Sequence, residues 1–236
     1  MTTDRVKLLG ICGSPRDSVT KQALAAALNA AESVGGVEVY GIYLHGKNIQ
    51  CCRNCGVCLK LQCGYCPVIR DDMCREYYEL YRKCDGIILA TPLYYMTATG
   101  LLQNFMSRMR PFSRDARQGA FGSRMGGSIA VGGMRNGGQD FCLSVLNNML
   151  QATGTNIVGG GVPFYNGASV CSGNGSELKD EIGMAEAEAL GKKVAYMCKI
   201  VRQGLRAAGE SVASANFLGF EDTQALAEGY RVRGLG

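Results

Sequence analysis

Apolar positions in this 236-residue chain fall into short unbroken runs separated by amphipathic stretches. Val6 to Cys12 is such a run, closed by Gly13, and predicts a strand covered on both faces. Lys21 to Val34 carries apolar residues at Leu24, Ala27, Leu28 and Ala31, the spacing of one helix face. Val37 to Leu44 alternates loosely as a second strand. A helix is predicted from about Asp72 to Lys83, with Asp71 and Asp72 at its start, where carboxylates complement the helix dipole. Gly86 to Ala90 and Ser128 to Val131 are a third and a fourth buried strand, followed by helices over Leu101–Met109 and about Gln139–Gln151. Asn156 to Gly160 reads as a fifth strand, and a long helix as roughly Ser176 to Ala208, with a break near Gly191.

Strands alternating with helices predict an α/β, doubly wound, five-stranded parallel sheet. With strand order 2-1-3-4-5, the loops after strands one, three and four share the carboxyl edge, where such sheets bind ligands. One domain over residues 1–208 is expected. Residues 209–236 form a C-terminal extension whose candidate partner is a neighbouring subunit.

Those three loops are chemically distinctive. The first, GSPRDSVT, places the hydroxyls of Ser14, Ser18 and Thr20 before a helix start, where free amides and the dipole favour an anion. It is neither GxGxxG nor GxxxxGK[ST], and a phosphate monoester suits it better. The same hydroxyls could serve only as helix caps. The second offers Pro92, Leu93, Tyr94, Tyr95 and Met96 as an apolar, aromatic surface for a flat ring, or as ordinary core. In the third, Gly132, Gly133, Gly137 and Gly138 permit close backbone approach.

Between the second and third strands lie six cysteines within 16 residues: Cys51, Cys52, Cys55, Cys58, Cys63 and Cys66. The C-x2-C-x2-C spacing of Cys52, Cys55 and Cys58 matches the start of bacterial iron–sulfur motifs, and Cys66 precedes a proline as their last cysteine does. Cys63 is the nearer alternative for the fourth ligand. Two zinc knuckles, Cys52/Cys55 and Cys63/Cys66, would lie unusually close together. A redox disulfide is a third possibility.

Composition narrows the setting. Hydrophobic content of 47% and charged content of 19% describe an ordinary globular protein. The net charge of +5 is modest, and its densest run, Arg108 to Arg124, reads as a solvated face or subunit contact rather than a nucleic-acid interface. The chain starts without a signal-peptide pattern, and no apolar run approaches the ~18 residues that span a bilayer. Twelve cysteines in a chain large enough to fold without disulfides therefore point to reduced thiols, with no membrane role and a cytoplasmic location. His45, the single histidine, is assigned a structural role.

GSPR at 13–16, TPLYYMTATGLLQNFMSRM at 91–109 and GGMRNGGQ at 132–139 resemble the flavin loops of the NADPH-dependent FMN reductase branch of flavodoxin-like proteins. The CxxCxxC insert, with a further cysteine before Asp71-Asp72-Met73, is similar to that of iron–sulfur flavoproteins in that branch. The resemblance spans about residues 5–165. It implies a flavodoxin-like fold, FMN at the carboxyl edge, and a [4Fe-4S] cluster on Cys52, Cys55, Cys58 and Cys66. Ser14, Arg16, Ser18 and Thr20 would hold the phosphate. Pro92, Leu93, Tyr94, Tyr95, Met96 and Thr97 would contact the ring and ribityl chain. Gly132, Gly133, Met134, Arg135 and Gly138 would close over the ring. The first loop is shorter than in many relatives, and Asp17 should point away from the phosphate.

The function so implied is an electron-transferring oxidoreductase. A one-electron donor such as a ferredoxin, or NAD(P)H, would supply electrons through cluster and FMN to a small-molecule acceptor. A homodimer or homotetramer is expected. The alternatives are an NAD(P)H-dependent FMN or quinone reductase with a structural zinc, and a non-enzymatic electron carrier or redox sensor that docks a partner.

Overall fold

The computed structural model describes residues 5–160, 164–173 and 179–210. The parallel strands β1 (Val6–Cys12), β2 (Val37–Tyr43), β3 (Gly86–Pro92) and β4 (Met125–Gly132) stand in the order β2-β1-β3-β4. The fifth position is divided. β5 (Asn156–Ile157) pairs with the start of β4 at Met125–Gly126, and β6 (Ala168–Cys171) pairs with its end at Ile129–Gly132. The expected fifth strand over Asn156–Gly160 is therefore only its first two residues. The rest of that edge is supplied by β6, which the apolar pattern did not announce.

The helices are α1 (Val19–Glu32), α2 (Val57–Leu61), α3 (Arg75–Lys83), α4 (Gly100–Ser107), α5 (Ser113–Arg117), α6 (Gln139–Gln151) and α7 (Glu181–Ala208). Successive strand residues point to opposite faces, so each buried run feeds two cores. Leu8, Ile88 and Ala90 pack with Ala27 and Leu28 of α1 and Leu190 and Val194 of α7. Leu9, Ile11, Ile87 and Leu89 pack with Tyr81, Leu102, Phe105 and Leu146 of α3, α4 and α6. A leucine or isoleucine so buried contributes about 1.5–3 kcal/mol, which is why these runs are dominated by apolar residues. Among the described residues no helix is long and apolar enough to cross a membrane.

α7 runs through Gly191 without a break. The glycine is there because α1 passes so close that a Cβ would press on the Ala27 carbonyl oxygen. That oxygen is backbone and cannot swing aside. Gly191→Ala should therefore cost about 1–3 kcal/mol through overpacking, outweighing the ~1 kcal/mol that alanine gains in helix propensity. Gly204, on the same helix, has nothing within 4 Å of its Cβ position. Gly204→Ala should stabilise by about 1 kcal/mol. Urea midpoints moving in opposite directions check both.

The described segment beyond α7 ends at Glu210, so nearly all of the 209–236 extension lies outside the described residues, as does the predicted helix start at Ser176.

Candidate functional site

The loops after β1, β3 and β4 meet at one place on the carboxyl edge. Gly13 N–H donates to the Ala90 carbonyl (2.7 Å), and the Thr99 hydroxyl donates to the Gly13 carbonyl (2.7 Å) while accepting from Leu102 N–H as the cap of α4. Leu93 N–H donates to the Val131 carbonyl at 2.9 Å. Gly138, at φ 99°, leaves room for Met96; a Cβ there would lie 2.9 Å from the Met96 methyl. The sheet order thus joins three segments that are far apart in sequence.

The first loop is built as an anion cradle. Ser14 is buried and its hydroxyl, which donates to the Arg16 carbonyl, also accepts from Arg16 N–H and lies 3.2 Å from the Ser18 hydroxyl. Ser18 occupies the cap position of α1 but makes no side-chain cap bond, and the first turn carries no acidic residue. The positive pole of the helix is therefore uncompensated. Thr20 is 1% exposed and its hydroxyl has no partner. Such a group is normally paired, and a phosphate oxygen would pair it. Asp17 turns outward to an exposed ion pair with Lys21. Arg16 is exposed. His45 braces the loop, its Nδ1 2.7 Å from the Pro15 carbonyl oxygen.

In the second loop, Tyr94 and Thr97 exchange backbone hydrogen bonds of 3.0 and 3.1 Å, which forces Tyr95 and Met96 to φ 48° and 64°. Left-handed backbone at non-glycine residues costs of order 1–3 kcal/mol each and clusters at functional sites. The result is that Tyr94, Tyr95 and Met96 project into solvent with little packing. Pro92, at the end of β3, and Leu93 are half-buried beneath them.

The third loop is pinned by Gln139, which the sequence reading did not single out. Its amide donates to the Met134 carbonyl (2.6 Å) and accepts from Gly137 N–H (2.9 Å), and it fills the space a Cβ at Gly132 would need. Arg135 pairs with Asp180, whose carboxylate also accepts from Cys171 N–H and Gly183 N–H at the start of α7. Burial works to raise the Asp180 carboxyl, but these donors prevail and hold it below the usual range. Met134 is exposed beside Gly133, and Gly138 opens α6.

The cysteine insert folds beside the last turn of α4. Left-handed residues at Asn54 (φ 52°) and Gly56 (φ 73°) turn the chain twice within five residues, and Cys58 sits in the first turn of α2. The outcome is a recess lined by Cys52, Cys55, Cys58 and Cys66, together with Arg108 and Arg110. Cys63 is absent from it. Left-handed Gln62 and Gly64 turn that thiol away, and it donates to the Tyr65 carbonyl at 3.1 Å. Burial raises the Cys58 thiol, and the neighbouring sulfurs of Cys66 and Cys52 add to the effect. Among the described residues no three His, Cys, Asp or Glu side chains converge tightly enough for a single metal ion.

A buried ion pair joins this insert to α4. Arg108 Nη1 donates to Asp71 (2.6 Å) and to the Gln50 carbonyl (3.2 Å), and Asp71 also accepts from Gln50 N–H and Met73 N–H. Both side chains are buried, at 1% and 0% exposure. Burial works against the Asp71 charge, yet Arg108 and the two amides hold its carboxyl below the usual range. Asp71 is thus not a helix-start residue; α3 begins at Arg75. Arg108 and Arg124, read as part of a solvated basic run, are both buried. Arg124 lies over Phe121 and donates to the Tyr81 and Cys84 carbonyls.

A family model described as NADPH-dependent FMN reductase matches residues 6–168. An iron–sulfur flavoprotein of Methanocaldococcus jannaschii is 34% identical over 201 residues, 84% of this chain and 100% of that protein. Another from Archaeoglobus fulgidus is 36% identical over 193 residues, 80% of this chain and 79% of its own. Among solved structures, a flavodoxin-type, WrbA-like protein of Agrobacterium tumefaciens superposes with a TM-score of 0.58 at 16% identity, over 84% of this chain and 98% of that one. That last likeness concerns the fold alone.

Proposed function

Because the chain belongs to the NADPH-dependent FMN reductase family, among its iron–sulfur flavoproteins, we propose that it passes electrons between a cluster held by its cysteine insert and FMN at its sheet edge. It is an FMN-dependent oxidoreductase. The observation that carries the finer reading is the recess whose thiols are Cys52, Cys55, Cys58 and Cys66 and no others. This donor set fits a [4Fe-4S] cluster, which requires four thiolates. The unpaired Thr20 hydroxyl at an uncompensated helix start fits the FMN phosphate.

The cofactors supply one-electron and two-electron chemistry, and the chain supplies position and environment. Ser18 and Thr20 would hold the phosphate by hydroxyl donation and the loop's free amides by N–H donation, Ser14 braces the loop through the Arg16 backbone, and Arg16 screens the phosphate from outside. The strained Tyr95–Met96 turn, with Tyr94, presents an apolar face to the ring. Pro92, Leu93 and Thr97 line the approach to it. Gly132, Gly133 and Gly138 let backbone come close, and the Arg135–Asp180 pair anchors Met134 and its loop against α7. No side chain in this arrangement is needed as a catalytic acid or base. α4 links the two sites: Thr99 caps its start at the flavin loops, and Ser107 and Arg108 grip the insert at its end. At about 1.5 Å per residue, that helix separates them by roughly 12 Å.

We take the electron donor to be a one-electron carrier of ferredoxin type, and the acceptor to be a small molecule reaching the exposed ring face. Assembly into a homodimer or homotetramer would cover the exposed Tyr95 and Met134.

An anaerobic absorption spectrum with iron, zinc and FMN quantified tests the proposal. Iron near four per chain with stoichiometric FMN is the expected result. Stoichiometric zinc without iron, with rapid flavin reduction by NAD(P)H, would replace it with the reductase-plus-zinc alternative. A narrower expectation concerns Thr20. Thr20→Val keeps the shape but removes a hydrogen bond to a charged group, worth about 1.5–3 kcal/mol. The FMN dissociation constant should rise about 10- to 100-fold; an unchanged constant would remove Thr20 from the phosphate site.

A further inference from the structure

Arg108 is more than a partner for Asp71. Nη1 is engaged by Asp71 and the Gln50 carbonyl; Nε and Nη2 are buried and have no hydrogen-bond partner within normal distance among the described residues. A lysine could serve Asp71 equally well with one nitrogen. A guanidinium presents donors in a rigid fork, and two buried charged donors left over require acceptors. The side chain lines the four-cysteine recess, and Cys66 is close enough for its charge to act on Arg108. No carboxylate lines that recess; the buried Tyr78 hydroxyl, itself without a partner, lies near Arg108 and can take one N–H, which leaves the sulfurs as acceptors for the others.

We propose that Arg108, clamped by Asp71, donates Nε–H and Nη2–H to the sulfur atoms of the cysteine-held centre and raises its reduction potential. This rests on the cluster reading above. Hydrogen bonds to sulfur and nearby positive charge both stabilise the more negative, reduced form. Arg110 also lines the recess and has a buried Nε without a partner, but its side chain is only half-buried and no carboxylate fixes it. Arg53, the third arginine on the wall, is exposed and bound to Gln50 Oε1.

The test uses holoprotein grown on 15N-arginine and reduced with dithionite, with 15N couplings to the cluster read by pulsed electron paramagnetic resonance. Wild type should show an arginine coupling that persists in Arg53→Lys and Arg110→Lys and vanishes in Arg108→Lys. If Arg108→Lys fails to retain iron, persistence in the other two variants still assigns the coupling. Where iron is retained, the reduced-to-oxidised ratio of Arg108→Lys at a fixed potential should fall about tenfold, a midpoint 59 mV lower for one electron. A cluster signal without arginine coupling, a coupling lost in Arg53→Lys or Arg110→Lys, or an unmoved midpoint in Arg108→Lys overturns the assignment. Absence of iron and of any cluster signal in wild type defeats the cluster reading itself, and this inference with it.

Discussion

Iron in Cys66→Ala protein purified without oxygen should fall to a small fraction of the wild-type content, while Cys63→Ala should keep it. The two cysteines are three residues apart and chemically identical, so any effect of thiol number or redox damage would strike both. What separates them is backbone. Gln62 and Gly64, at φ 50° and 71°, direct the Cys63 thiol to the Tyr65 carbonyl. Cys66 joins Cys52, Cys55 and Cys58 on the wall of one recess. Three remaining thiolates leave one corner of a four-cysteine cluster open, and such clusters lose iron in water. FMN should stay bound in both variants, because its loops lie at the other end of α4. Equal iron in the two variants, or loss in Cys63→Ala alone, would reverse the choice of fourth ligand.

The fold was largely legible because buried strands have a signature that local sequence carries. VKLLGIC, apolar but for the partly exposed Lys7, and GIILA, apolar throughout, are covered on both faces of the sheet, and the structure places them as β1 and the body of β3. β6 was missed for the opposite reason. Ala168-Ser169-Val170-Cys171 is short and mixed, and it is a strand only because the end of β4 offers it a ladder. The proposed thiol ligands were legible in part: the CxxCxxC spacing marks three candidates and the proline after Cys66 suggests the fourth, while the left-handed residues that turn Cys63 aside are not visible in any spacing.

Charged residues were the least legible. Asp71 beside Asp72 looks like a dipole-complementing pair, and Arg108 looks like one of a basic run. Each acquires its role from the other, 37 residues away, and burial of a charge cannot be read until its partner is known. Gly191 shows the same limit for packing. A glycine in a helical pattern suggests a break, whereas here it marks the closest approach of two helices.

The Arg108–Asp71 pair therefore carries the largest expected stability effect. Asp71→Ala leaves a guanidinium in the interior with no counter-charge, and strands the amides of Gln50 and Met73 as well. Breaking one side of a buried pair costs about 3–5 kcal/mol. For a domain of this size that lowers Tm by roughly 6–20 °C. Asp17→Ala removes only an exposed, solvent-screened partner of Lys21 and should leave the melting temperature almost unmoved. The pH dependence has a definite sign. The Asp71 carboxyl is held below its ordinary value, so its contribution is complete above about pH 4 and is lost as pH falls through the lowered folded value. The gap between wild type and Asp71→Ala should thus be constant from neutral pH down to about 5 and narrow only on further acidification. Replacing both partners, as Asp71→Leu with Arg108→Met, should recover part of the loss, since no buried charge remains unpaired. Thermal unfolding followed by circular dichroism under argon distinguishes these outcomes. A single variant as stable as wild type would mean that water reaches Arg108, and that the insert is not sealed against α4.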